Sequence, residues 1–162
     1  MITLIAAVAS NGVIGNSKLN EMPWHCSDEL KFFKSETMGN TLIMGRTTAE
    51  QVGKLPGRDA IVLSRDKNYT LKGFDTFSMD QFLFEYEQNT EKKYMVCGGA
   101  EIYKLFMPYI DVSIISYMNF RVEGDIYLPE VTRRNGYKFQ IIEEIEYKEF
   151  TVRKWRPWEY AK

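Results

Sequence analysis

The sequence predicts an α/β fold with a central, mostly parallel β-sheet. Over the first two thirds of the chain, short runs of consecutive apolar residues alternate with amphipathic segments, the pattern of parallel strands joined by helices. The run at 2–9 is apolar apart from Thr3, as expected for a strand that is covered on both faces. Two β-rich runs at 137–146 and 148–156 predict an antiparallel C-terminal hairpin. We therefore expect a sandwich of about eight strands, flanked by four helices.

The remaining elements follow from apolar runs, caps and breakers along the chain. We predict further strands at 41–44, 59–63, 74–77, 93–97 and 111–120. We predict helices at 28–37 behind a Ser27 cap, from the Gly45 turn to residue 52, at 79–88 behind a Ser78 cap, and at 100–107. Pro108 should end the last helix, because proline removes a backbone hydrogen bond and clashes with the preceding turn.

Length and composition limit the classes of protein that the chain can represent. At 162 residues it should form a single domain spanning 1–162. A net charge of −1 gives no electrostatic basis for nucleic-acid binding, and two cysteines with one histidine are too few for a common zinc site. There is no signal-peptide pattern and no apolar window of membrane-spanning length. We therefore expect a cytoplasmic protein with reduced thiols and no metal, membrane or nucleic-acid partner.

A long connection, residues 10–24, separates the first predicted strand from the first helix. It is rich in turn-forming residues, yet it also contains the apolar residues Val13, Ile14, Met22 and Trp24. Because exposing these side chains would be costly, we expect the connection to fold back over another part of the molecule, as lids and binding loops do. The alternative is a loose surface loop.

An acidic side chain falls on the apolar side of the first predicted helix. With successive residues about 100° apart, Glu29 lies between Phe32 and Phe33, whereas Asp28 lies on the polar side. A buried carboxylate needs a cation or a polar ligand, because burial disfavours its charged form. Glu29 is therefore a candidate functional residue. The alternative is that it only complements the positive start of the helix.

Glycine turns and arginines follow several of the predicted strands. Residues 45–48 lead into a helix, Ser64 and Arg65 follow the next strand, and Gly98-Gly99 precede the last helix. Backbone N–H groups at such turns can bind anions, and ligands of α/β proteins bind at the carboxyl ends of the strands. We therefore expect an anion site there. The alternative is that Arg46 and Arg65 are solvated surface residues.

Nine short strings in these loops and strands together resemble the dihydrofolate reductase family. They occur in the family's order from residue 2 to about residue 129, whereas the chain beyond Pro129 matches only in its hairpin character. The strings are Ile5-Ala6-Ala7, Gly12-Val13-Ile14-Gly15, Met22-Pro23-Trp24, Glu29-Leu30-x-x-Phe33-Lys34, Ile43-Met44-Gly45-Arg46-Thr47-Thr48, Leu55-Pro56-Gly57-Arg58, Leu63-Ser64-Arg65, Gly98-Gly99-Ala100-Glu101-Ile102-Tyr103 and Val122-Glu123-Gly124-Asp125.

The resemblance implies an enzyme that reduces 7,8-dihydrofolate to 5,6,7,8-tetrahydrofolate with NADPH, with hydride transfer to C6 and a proton to N5. It also implies a monomer that supplies one-carbon metabolism and thymidylate synthesis. Two other interpretations are the NADPH-dependent pyrimidine reductase of riboflavin synthesis and a non-catalytic folate- or nucleotide-binding protein. The Met22-Pro23-Trp24 string with its nearby acid argues against the first. The joint presence of Glu29, Trp24 and Arg58 argues against the second.

The resemblance also implies roles for individual residues. Glu29 would accept hydrogen bonds from the pterin edge, assisted by Ser116, which stands where the family usually has threonine. Trp24 would hold a water, and Met22 would border the route of the proton, with closure of the 10–24 connection as the gate. Further substrate-binding residues would be Ile5, Ala6, Leu30, Phe33, Val52, Leu55, Arg58, Cys97 and Tyr103, with Arg58 on the tail carboxylate.

The implied cofactor site divides into three parts. Arg46 and Arg65 would bind the 2′-phosphate of NADPH, and Thr47 and Thr48 would bind the pyrophosphate together with the backbone after a cis Gly98-Gly99 peptide. The remaining residues would contact the nicotinamide or line the cofactor cleft. The full implied set is Ala7, Ile14, Gly15, Gly45, Arg46, Thr47, Thr48, Leu63, Ser64, Arg65, Cys97, Gly98, Gly99, Ala100, Glu101, Ile102 and Tyr103.

Overall fold

The computed structural model describes residues 1–158. The first half of the chain forms β1 (Ile2–Val8), β2 (Val13–Gly15), α1 (Ser27–Thr37), β3 (Thr41–Gly45), α2 (Arg46–Val52), β4 (Asp59–Leu63) and β5 (Asp75–Phe77). The second half forms α3 (Met79–Gln88), β6 (Tyr94–Val96), α4 (Ala100–Phe106), a 3₁₀ helix (Met107–Tyr109), β7 (Val112–Met118), β8 (Ile126–Tyr127), β9 (Arg133–Arg134), β10 (Tyr137–Glu146) and β11 (Phe150–Pro157). None of the helices in this range is both long and apolar enough to cross a bilayer.

A single nine-stranded sheet runs in the order β5-β4-β3-β6-β1-β7-β11-β10-β9. Every neighbouring pair from β5 to β7 is parallel, whereas β11 is antiparallel to both β7 and β10. The predicted α/β class, mostly parallel sheet and C-terminal hairpin are therefore confirmed. The sheet has one strand more than the expected eight because the short β9 pairs with β10. β2 and β8 form a separate two-stranded sheet.

Helices cover both faces of the central strand β1. Leu4 belongs to a buried cluster with Phe82 of α3 and Phe106 of α4. The next residue, Ile5, belongs to a second cluster with Phe32 of α1. Because successive side chains of a strand point to opposite faces, α3 and α4 lie on one side of the sheet and α1 lies on the other. This arrangement explains why β1 has apolar side chains on both faces, with Thr3 as the exception, instead of an alternating pattern.

The two predicted serine caps have different outcomes. At α3 the Ser78 side chain accepts a hydrogen bond from the Gln81 backbone N–H, and the Gln81 side chain accepts one from the Ser78 N–H, forming a capping box. The prediction for Ser27 is wrong, because Ser27 is already the first residue of α1. The extended residue before it, Cys26, is the N-cap, and its side chain makes no capping hydrogen bond.

Several predicted ends move by one or two residues. β1 ends at Val8, and β7 spans Val112–Met118 instead of 111–120. α4 ends at Phe106, and the chain then tightens into the 3₁₀ helix that contains Pro108. The predicted stop near Pro108 is therefore correct, although the chain changes helix type before it turns away.

The turns singled out in the sequence meet at one edge of the sheet. The connection 10–24, the 45–48 turn, Ser64-Arg65 and Gly98-Gly99 follow β1, β3, β4 and β6, respectively. These four strands are adjacent and parallel, so their carboxyl ends lie side by side. The candidate site is therefore at the carboxyl edge of the sheet, as predicted.

Candidate active site

The connection 10–24 is tied to the rest of the molecule along its first half. Val13 is buried and pairs with Tyr127 of β8. The Ser17 backbone N–H donates to Asp125 Oδ1 at 2.8 Å, and the Ser17 hydroxyl donates to the other oxygen of the same carboxylate. Met22 is 51% exposed, however, so the expectation that its side chain would be covered is wrong. Packing holds the start of the connection and leaves its later part open.

Trp24 closes the connection just before α1. Its ring is half-buried and makes an edge contact with Phe120, with the centroids 5.8 Å apart. Phe120 lies just after β7, the strand next to β1. The contact therefore joins the start of α1 to the segment that follows β7. The tryptophan therefore has a defined position next to the helix that carries Glu29.

Glu29 points inward from α1, and Asp28 is exposed, as the helical wheel predicts. Burial raises the pKa of Glu29 from its ordinary value of 4.5 to about 7. Within residues 1–158 no cation and no hydrogen-bond donor offsets this effect. The carboxylate is thus available to a ligand, which is the interpretation that the sequence left open beside the helix-start alternative.

Tyr103, another predicted residue, lies close enough to Glu29 and to Cys97 for both to affect its ionisation. Tyr103 is buried on α4, and its hydroxyl donates to the Ile5 carbonyl at 2.8 Å. Burial raises the Tyr103 pKa well above its ordinary value, and the neighbouring acidic groups Cys97 and Glu29 raise it further. Burial also raises the pKa of the Cys97 thiol to about 12. Tyr103 on α4, Glu29 on α1 and Cys97 just after β6 therefore share one electrostatic environment, in which Cys97 stays neutral at neutral pH.

Arg58 is a buried arginine, only 7% exposed. Its Nη1 donates to Thr37 Oγ1 at 3.0 Å, and its Nε donates to the Pro56 carbonyl at 3.1 Å. The Lys54 ammonium donates to the Arg58 carbonyl oxygen. No carboxylate within the described range pairs with this guanidinium. Because burying a charge without a counter-charge is costly, the Arg58 guanidinium is suited to bind an anionic ligand.

Thr37 is a candidate site residue that the sequence interpretation missed. It is fully buried at the end of α1, donates its hydroxyl to the Phe33 carbonyl at 2.7 Å and accepts the Arg58 bond. At about 100° per residue, Thr37 falls on the apolar side of the helix with Glu29, which was the available signal. Its hydroxyl thereby links the helix that carries Glu29 to the turn that carries Arg58.

The residues predicted to line the slot between these two charges differ in exposure. Leu30 is 51% exposed and Val52 is 44% exposed, whereas Phe33 and Leu55 are half-buried against the second core cluster. Phe33 faces the core more than the solvent, in agreement with its position on the wheel. Large exposed apolar side chains beside buried charges are typical of an open ligand cleft.

Ser116 lies in the sheet beside the end of β1. It is buried on β7 and is the register partner of Ala7. Ile5 and Ala6 are buried in the same stretch of β1, and Ala7 is half-buried. The predicted hydroxyl and the predicted cofactor-contacting alanine are therefore neighbours across one pair of parallel strands.

The two glycine turns contact each other directly. The Gly45 backbone N–H donates to the Gly98 carbonyl at 2.8 Å, and the predicted Gly98-Gly99 cis peptide is present. A Cβ atom at Gly45 would lie 2.8 Å from the Ile102 side chain, and Gly98 has a φ of +117°. Glycine is therefore needed at both positions, and it lets the starts of α2 and α4 approach each other.

The predicted anion-binding side chains also converge. Gly45 and Leu63 are register partners in β3 and β4, so Arg46 and Ser64 follow paired residues. The Arg46 side chain is 58% exposed at the start of α2, and Arg65 is exposed after β4. Arg46 is not simply solvated, because it also contacts Glu50 and Tyr69, two residues that the sequence interpretation missed. The Arg46–Glu50 spacing of four was a readable signal, whereas Tyr69 had none.

The chain matches the family model described as dihydrofolate reductase over residues 1–156. A dihydrofolate reductase of Neisseria gonorrhoeae is 40% identical over 134 residues, covering 82% of this chain and 81% of the relative. That of Mycoplasma genitalium is 33% identical over 162 residues, covering 96% of this chain and 98% of the relative. A solved dihydrofolate reductase from Enterococcus faecalis, complexed with NADP(H) and RAB-propyl, has a TM-score of 0.84 at 27% identity and covers 97% of this chain and 96% of that chain.

Proposed function

This chain belongs to the dihydrofolate reductase family and reduces 7,8-dihydrofolate with NADPH, and we propose that Glu29 is the acidic residue that binds the pterin in its active site. NADPH supplies a hydride to C6 of the pterin, a proton reaches N5, and the product is 5,6,7,8-tetrahydrofolate. The chain itself must bind the pterin, keep the reacting groups together and exclude water from them.

One observation carries the role of Glu29: it is an inward-facing carboxylate with no protein partner in the described range. The pterin edge presents parallel N–H donors, which a carboxylate accepts in a bidentate arrangement. Its raised pKa, about 7, lets Glu29 change protonation state near neutral pH and so tune the electrostatics of the pterin. We propose that the proton itself enters from solvent past Met22, whose exposure supports such a route.

Three neighbours would complete the pterin site. Ser116 would donate or accept a hydrogen bond between Glu29 and the pterin, which its burial beside Ala7 supports. Trp24 would hold a water near the ring, a role supported by its fixed, half-buried position before α1. Tyr103 and Cys97 would border the ring as neutral groups.

The tail of the substrate would lie toward Arg58. Its buried guanidinium has no carboxylate partner in the described part of the chain, and Thr37 holds it in one orientation. A carboxylate of the folate tail would supply the missing charge, a bidentate task for which lysine is a poor replacement. Leu30, Phe33, Val52 and Leu55 would line the slot between pterin and tail.

The residues at the carboxyl edge fit NADPH. Arg46 and Arg65, whose terminal nitrogens have no anionic partner within residues 1–158, match the charge of a 2′-phosphate. Thr47, Thr48 and the N–H groups after Gly98-Gly99 would hold the pyrophosphate. The remaining contacts would come from Ala7, Ile14, Gly15, Gly45, Leu63, Ser64, Ala100, Glu101 and Ile102.

We also propose that the protein acts in the cytoplasm as a monomeric single domain. Cys26 and Cys97 are both free thiols, which supports a reducing compartment. The continuous nine-stranded sheet supports one domain.

The test follows the absorbance of NADPH after dihydrofolate is added to the purified protein. We expect Glu29→Gln to lose most turnover, roughly a hundredfold or more, while it still binds NADPH. Asp28→Asn is the matched control and should retain activity, because Asp28 faces solvent. If Asp28→Asn abolished turnover and Glu29→Gln did not, the proposed role of Glu29 would be wrong.

A further inference from the structure

Two side chains outside the proposed substrate and cofactor sets hold the guanidinium of Arg46. Arg46 Nε donates to Glu50 Oε1 at 3.2 Å, one turn further along α2. The Arg46 Cζ atom lies 4.2 Å from the centroid of the Tyr69 ring. Tyr69 Oη donates to the same Glu50 oxygen at 2.6 Å. The three side chains therefore form a closed triangle of contacts.

Tyr69 is itself held by the loop after β4. Its backbone N–H donates to the Asp66 carbonyl at 3.1 Å, and the Asp66 N–H donates to Ser64 Oγ at 3.0 Å. The ring also packs against the second buried cluster. This loop begins with Ser64 and Arg65, so Tyr69 connects α2 to the segment that carries Arg65, the other proposed ligand of the 2′-phosphate.

The triangle leaves the ligand-facing part of Arg46 free. Glu50 occupies Nε and Tyr69 covers one face, but neither terminal nitrogen has a partner within residues 1–158. The Tyr69 hydrogen bond, followed by that of Arg46, lowers the pKa of Glu50, so Glu50 stays ionised at neutral pH. The two terminal nitrogens are the pair that binds a phosphate in a bidentate manner.

We propose that Tyr69 is a positioning residue that sets the preference for NADPH over NADH, by holding Arg46 in the orientation that receives the 2′-phosphate. This inference rests on the proposed role of Arg46. An unrestrained arginine loses rotamer freedom when it binds, and a guanidinium that is already stacked and hydrogen-bonded loses less. NADH has no 2′-phosphate and gains nothing from this arrangement, so the effect of Tyr69 is confined to NADPH.

The test compares kcat/KM for NADPH and for NADH at saturating dihydrofolate. Tyr69→Leu removes both the ring and the hydroxyl, and we expect it to lower kcat/KM for NADPH about tenfold and for NADH less than about twofold. Tyr69→Phe keeps the ring and should lower the NADPH value only about threefold. The NADPH effect should appear in KM with kcat unchanged. Tyr109→Leu, at an exposed tyrosine of the 3₁₀ helix, is the control and should change neither value.

A double-substitution cycle with Arg46→Gln separates this inference from the proposed cofactor site. If Tyr69 acts through Arg46, Tyr69→Leu should have almost no further effect in the Arg46→Gln protein. If Arg46→Gln itself left the NADPH preference intact, the proposed phosphate site would be wrong. If Arg46→Gln removed the preference but Tyr69→Leu and Tyr69→Phe did not alter it, only the role of Tyr69 would be overturned.

A purely structural role for Tyr69 predicts a different result. Both cofactors would then lose kcat/KM equally, and the effect of Tyr69→Leu would persist without Arg46, which would overturn the inference. Thermal unfolding of each variant checks that it is folded. If Tyr69→Leu did not fold, the comparison of NADPH with NADH would be made with Tyr69→Phe, because that variant loses a single hydroxyl and retains the ring contacts.

Discussion

Glu29 illustrates, at the scale of one residue, how a group that we propose to be functional can oppose the stability of its own fold. Its pKa rises from 4.5 to about 7 on folding, so the folded protein holds this proton more tightly than the unfolded chain. Ionisation therefore costs stability as the pH rises between those two values, and the full cost is present above the upper one. The difference corresponds to about 3 kcal/mol. Binding of the pterin donors would offset this cost.

Removal of the Glu29 charge should therefore stabilise the free protein at alkaline pH. We expect Glu29→Gln to raise the melting temperature by about 5–10 °C at pH 8 and to lose most of this gain at pH 5. Thermal unfolding without ligands, followed at both pH values, measures the effect. Asp28→Asn should show no such pH-dependent gain, since Asp28 is exposed. An equal shift of Glu29→Gln at both pH values would contradict the assigned cause.

At the scale of elements, the helix starts show which local signals reach the folded structure. Ser78 and Gln81 satisfy each other's backbone groups, and both partners lie within one turn of α3. At α1, Ser27 is already the first helical residue, one position after the N-cap, and the N-cap position is occupied by Cys26. A side chain can cap a helix only from that extended position, so Ser27 contributes little to the start of α1.

The two serines should differ in what they contribute to stability. We expect Ser78→Ala to lower the free energy of unfolding by about 1 kcal/mol, because it leaves the Gln81 N–H without its partner. Ser27→Ala should change it by less than about 0.5 kcal/mol. Denaturant unfolding of both variants gives the two values, and neither should alter kcat. A larger loss for Ser27→Ala would show that its hydroxyl has a role that the α1 geometry does not explain.

At the scale of the whole molecule, the strand order builds the site. β1 lies between β6 and β7, so the end of the first strand meets segments that come much later in the chain. The Gly45–Gly98 hydrogen bond and the Tyr103–Ile5 hydrogen bond tie these distant segments together at the carboxyl edge. NADPH would contact several of them at once, so its binding should stabilise the assembled sheet.

NADPH should therefore raise the melting temperature of the whole protein. At about a hundred times its dissociation constant, a ligand that binds only the folded state adds about 2.7 kcal/mol. We expect a rise of about 5–10 °C, a smaller rise with NADH at the same concentration, and a reduced NADPH effect in Arg46→Gln. Differential scanning calorimetry measures all three. Equal shifts with NADPH and NADH would argue against a 2′-phosphate site on Arg46.

Local patterns were sufficient for the class of fold and for the edge of the sheet that carries the site. The apolar run of β1 indicated a strand covered on both faces, and the helical period placed Glu29 inward and Asp28 outward. The order of the short strings indicated the family, and with it the cis Gly98-Gly99 peptide. Each of these features depends either on residues that are neighbours along the chain or on the order of motifs in the chain. Both kinds of information are present in the amino-acid sequence.

The contacts that orient the charged groups were decided by the tertiary structure. Thr37 holds Arg58 across 21 positions, Tyr69 reaches Glu50 across 19, and Ser17 meets Asp125 across 108. No local period records such pairs, because they form only where packing brings separate elements together. The exposure of Met22 has the same origin. The sequence by itself determined which chemical groups the candidate site contains; the folded packing determined how each one is held and which of them face solvent.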